Sequence, residues 1–77
     1  MAIERTELDA LQRAYKEAVD LWIAAIRDEA NLATADHSIA AWEIWEQAGF
    51  RADEARDRAN AAKEAYKDGL RMLDYDI

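Results

Sequence analysis

The stretch WEQAGFRADEARDRANAAKEAY, residues 45–66, decides how this chain folds. Within it Trp45, Ala48, Ala52, Ala55, Ala59, Ala62 and Tyr66 recur at alternating steps of three and four residues. An α-helix turns once in about 3.6 residues, so this spacing lays a single stripe along one face, as in a helix packed lengthwise on another. Five of the seven residues are alanine. The partner helix therefore has to come close and supply the bulk.

That bulk lies upstream. Leu8, Leu11, Tyr15, Ala18 and Trp22 keep the same spacing and form the complementary seam of a first helix, predicted over about residues 6–30. Thr6 is its expected cap, with Glu7 and Asp9 placed to favour the positive end of the helix dipole. A turn over about residues 31–35 follows, because Asn31 tolerates the left-handed conformation that ends helices, and Thr34 or Asp36 can cap the next one.

The second helix is predicted over about residues 36–73. Gly49 followed by Phe50 opens an alternative, a three-helix bundle with a break at Gly49 and Asp53 capping the third helix. The stripe passes through Gly49 without losing phase, and one internal glycine costs only about 1 kcal/mol relative to alanine, so the continuous helix is preferred. With the turn centred near residues 33 and 34, Trp22 faces Trp45, Ala18 faces Gly49, Tyr15 faces Ala52 and Leu8 faces Ala59. Gly49 then serves close approach, and the C-terminal end of the second helix overhangs. Asp74 and Asp76 oppose the negative end of the dipole, so fraying is expected near Leu73.

The fold class that follows is all-α: one domain over residues 1–77, a long antiparallel helical hairpin. Absence of proline, a glycine count of two and plentiful Ala, Glu, Lys, Arg and Leu agree with it. A chain of 77 residues buries a modest share of its apolar surface when it folds alone. Cysteine is absent, which removes disulfides and thiolate metal sites as stabilisers. A second copy is the remaining staple. Val19, Ile23, Ile26, Ile39 and Trp42 lie beside the two seams rather than in them, and form the expected dimer interface of a four-helix bundle.

The formal charge of −7 argues against nucleic acid and acidic membrane surfaces as partners, and acids interleave with every run of bases in the second helix. The longest nearly apolar run, Leu21 to Ile26, is too short to span a bilayer, and the first residues lack the pattern of an export signal, so a cytoplasmic location is expected. No phosphate loop, triad or Glu-x-x-His repeat occurs, so no catalytic residue, cofactor or metal ligand is assigned. The turn also lacks the Trp-x-Gly signature of secreted WXG-type hairpins.

The expected function is a non-enzymatic protein–protein interaction, structural or regulatory module working as a homodimeric bundle. One alternative is a small-ligand or metal carrier built from Trp22, Trp42, Trp45 and the Asp36–His37 pair, with Glu43 and Glu46 on following turns. Another is an acidic, antitoxin-like inhibitor that covers a basic partner.

Overall fold

The computed structural model describes residues 3–75. Helix α1 spans Arg5–Leu32 and helix α2 spans Ile39–Tyr75, packed antiparallel on each other in a rod of 56 × 16 × 12 Å. The length of the rod is that of α2 alone, since 37 residues rising about 1.5 Å each cover about 56 Å. Helix α2 runs unbroken through Gly49, so the three-helix alternative does not occur.

The two seams carry unequal shares of the packing. On α1, Leu8, Leu11, Tyr15, Ala18, Trp22, Ala25, Glu29 and Leu32 are half-buried, and no residue of α1 is fully buried. On α2, Ala48, Ala52, Ala59 and Gly69 are buried, with Ala55, Ala62 and Tyr66 half-buried. Large side chains of α1 thus lie over small ones of α2. A helix that presents methyl groups is buried by its partner, while the partner's own bulk keeps one side toward water.

The register differs from the one that a turn centred near residues 33 and 34 implies. Gly49 faces Glu29, whose Oε2 would lie 3.1 Å from a Cβ at that position. Tyr15 stacks on Tyr66, with ring centroids 6.3 Å apart and planes inclined by 23°. Gly69 lies under Leu8 and Leu11. Relative to the expected pairs, α1 has slid about three helical turns along α2, or about 11 residues. Interpolation between the Glu29 and Tyr15 pairs places Trp22 opposite the turn from Ala55 to Ala59, away from Trp45.

The cause is the connection. Residues 33–38 are not helical, so α2 begins three residues later than expected while α1 ends two residues later. Three short side chains relay through the connection: Thr34 Oγ1 accepts the Asp36 N–H at 3.3 Å, Asp36 Oδ1 accepts the Ser38 N–H at 3.0 Å, and Ser38 Oγ accepts the Ala41 N–H at 3.2 Å. Such local bonds compete with the helical ladder and delay it. Ser38 is therefore the cap of α2, in place of Thr34 or Asp36. The connection runs on past the end of α1, and α2 passes back alongside it for two turns before meeting α1. The overhang falls at the N-terminal end of α2, the opposite end from the one expected.

The helix ends differ from expectation in three further places. The backbone of Glu4 is extended, its carbonyl accepts the Leu8 N–H at 3.0 Å, and Thr6 lies inside α1. Ile3 before that cap and Leu8 in the first turn both reach the space above Gly69, a hydrophobic staple that sets the entry of the chain more firmly than a hydroxyl cap does. Asn31 is helical, and Ala33 ends α1 with φ −78°, ψ 89° and its N–H donated to the Ala30 carbonyl. Finally, α2 continues past Leu73 to Tyr75; Asp76 and Ile77 lie outside the described residues.

Two substitutions test the capping. Ser38→Ala should cost about 1 kcal/mol, and Thr6→Ala should leave stability nearly unchanged because no cap is lost. Urea unfolding followed by circular dichroism checks both, and equal losses would contradict this placement of the caps.

Candidate functional site

The apolar side chains that the two seams leave over are unevenly placed along the rod. Among the described residues, nine large hydrophobic side chains are exposed: Leu21, Ile23, Ile26, Ile39, Trp42, Ile44, Trp45, Phe50 and Leu73. All but Leu73 fall within residues 21–57, the half of the rod that contains the connection. The cause is partly the register. Only the last residue of α1, Leu32, comes beside the first two turns of α2, and Ile39, Trp42 and Ile44 stay 78%, 54% and 52% exposed.

Charge follows the same division. Residues 21–57 hold eight acids against Arg27, Arg51 and Arg56, a net charge of −5; the remaining forty residues hold nine acids and seven bases, net −2. Two of the exposed ion pairs, Lys67 with Glu64 at 3.6 Å and Arg71 with Asp68 at 2.8 Å, lie in the far half. In the half with the connection, Arg56 approaches Asp53 at 3.8 Å and Asp57 at 3.4 Å. Pairs so exposed add little stability.

Two concavities mark the apolar, acidic half. The larger, about 280 Å³, lies between the connection and the start of α2, where Leu32, Ala41, Trp42 and Trp45 meet Thr34, Asp36 and His37. The smaller, about 220 Å³, lies between the helices, lined by Leu21, Ala24, Ala25 and Ala48 with Asp28 and Arg51. Each combines an apolar lining with a carboxylate, and both are open to solvent.

The interface residues named from the sequence are all incompletely covered. Val19 is half-buried, Ile23 and Ile26 are 42% and 43% exposed, and Ile39 and Trp42 more so. Helical spacing sets Val19, Ile23 and Ile26 on one stripe of α1, and Ile39 and Phe50 on one face of α2. Phe50 is a member that sequence reasoning missed. Its signal was its phase, two residues off the stripe of Ala48 and Ala52, but the glycine before it directed attention to a helix end.

Trp45, assigned to the buried seam, is 40% exposed and lines the larger cavity with Trp42. It sits at the height where α1 ends, so α1 covers it only in part. Trp22 is in α1 and does not join them there, which separates the three tryptophans proposed as a common ligand wall. Among the described residues, no three His, Asp or Glu side chains come together as a metal site, Asp36, His37, Glu43 and Glu46 included. No helix among those residues is long and apolar enough to cross a membrane. No protein-family model, curated protein or solved structure matches this chain.

Proposed function

We propose that this chain is a non-enzymatic protein–protein interaction module, and that in the absence of another partner it associates with a second copy as a homodimeric four-helix bundle. The observation that carries this reading is surplus surface. The chain exposes 6027 Å², whereas a compact monomer of its mass exposes about 4,800 Å². The difference, about 1,200 Å², exceeds the roughly 800 Å² that each partner buries in an ordinary stable interface. Eight large apolar side chains gathered in one half give that surplus a location and the character of an interface core.

Light scattering coupled to gel filtration at micromolar concentration is expected to give twice the 8.8 kDa chain mass. Because the dimer sets two surfaces of net charge −5 near each other, the dimeric fraction should rise with salt. A monomer of 8.8 kDa at every salt concentration would remove the homodimer.

A further inference from the structure

We infer that the half of the rod built from residues 21–57 is a docking surface for a cationic amphipathic helix of another protein, which displaces the second copy. The inference rests on reading the chain as a protein-docking module and adds the chemistry of the partner. Eight exposed large hydrophobic residues share this half with a net charge of −5. A second copy satisfies the apolar requirement and worsens the electrostatic one, since pairing two such halves sets sixteen acids among six bases. Like charges brought together at an interface cost several kcal/mol and select against that partner. A helix with one leucine-rich face and flanking lysines or arginines satisfies both requirements.

The concavities fit that occupant. Leu21, Ala24 and Ala48 line a groove between the helices, suited to one apolar side chain, that also holds Asp28 and Arg51. At the end of α1, Trp42 and Trp45 line the second hollow with Leu32, beside Asp36, whose Oδ1 is held by the Ser38 N–H. Aromatic faces and a fixed carboxylate together attract an organic cation, the first through the ring quadrupole and the second through its charge. An amphipathic helix laid on such a surface presents its apolar anchors three or four residues apart.

The test uses the full chain and two synthetic helices of identical apolar pattern, LKKLLKLLKKLLKL and LEELLELLEELLEL, titrated while tryptophan fluorescence is followed. The lysine peptide is expected to shift the emission and to bind at least about tenfold more tightly than the glutamate peptide, with affinity falling as salt rises. Scattering should then show one chain per complex.

Neutralising Asp28→Asn, Glu43→Gln and Glu46→Gln together should weaken binding several-fold, whereas Asp9→Asn, Glu17→Gln and Glu64→Gln in the far half should not. Equal weakening by the two sets would mean attraction to net charge alone and would overturn the inference. So would equal affinity for the two peptides, or a homodimer that the lysine peptide leaves intact. A chain that proves monomeric removes the homodimer but leaves the titration able to succeed, so the two failures are distinguishable.

Discussion

Leucine in place of Ala59 is expected to lower the stability of the fold by about 2–3 kcal/mol, enough to unfold much of a domain this small at room temperature. Ala59 is 2% exposed, and the register sets it in the turn of α2 that faces Trp22. Three added carbons have nowhere to go unless the helices separate, and separation strips the cover from Ala52 and Ala48 at the same time. The control is two residues away. Ala61 is exposed, and leucine there should change stability by no more than about 0.5 kcal/mol. Thermal unfolding reads the difference, since 1 kcal/mol moves the midpoint of a domain of this size by about 4–8 °C. Equal melting temperatures for the two variants would mean that the methyl stripe does not face α1.

Substitution of the two glycines should give effects of opposite sign. Gly69→Val is expected to destabilise by about 3 kcal/mol, at the upper end of ordinary overpacking. A Cβ there would sit 3.0 Å from the Cδ1 atoms of both Leu8 and Leu11 and 3.2 Å from that of Ile3. Three apolar tips cannot all retreat from one point, and valine adds two methyl groups beyond the Cβ. Gly49→Ala should instead stabilise by up to about 1 kcal/mol, the helix-propensity difference between the two residues. Its Cβ would meet only the carboxylate of Glu29, at 3.1 Å, and a flexible side-chain end can move by the few tenths of an ångström required. Denaturant titrations of the two variants provide the measurement. Stabilisation by Gly69→Val, or a loss with Gly49→Ala comparable to that of Gly69→Val, would contradict this register.

These glycines also separate what was legible in the sequence from what was not. Gly49 sits inside the phase-keeping stripe, and on sequence alone close approach is its purpose. Close approach belongs to Gly69, near the other end of α2. Nothing local distinguishes the two residues; only the position of α1 along α2 does. The same holds for the tryptophans. Trp45 and Trp22 look like facing members of one seam, yet a connection with three side-chain-to-backbone bonds delays α2 and leaves Trp45 at the very end of α1.

The candidate surface was partly visible. Val19, Ile23, Ile26, Ile39 and Trp42 are apolar residues out of phase with the seams, and phase can be counted along the chain. Phe50 has the same signal. The concentration of eight exposed hydrophobic residues and most of the net negative charge in one half of the rod became apparent only after the helices were placed, because it depends on which residues lie at the same height.

From the sequence by itself came the helical class, the two seams, the continuity of α2 through Gly49 and the existence of unused apolar residues. Each follows from periodicity and propensity, which act over neighbouring turns of one helix. The tertiary structure alone decided the axial offset of the helices, the overhang at the start of α2 and the collection of exposed hydrophobic residues there. An alanine stripe repeats itself every few residues, so sliding the partner by three turns meets nearly the same surface. The choice among those offsets falls to the staple at Ile3 and Leu8, the notch at Gly69 and the length of the connection.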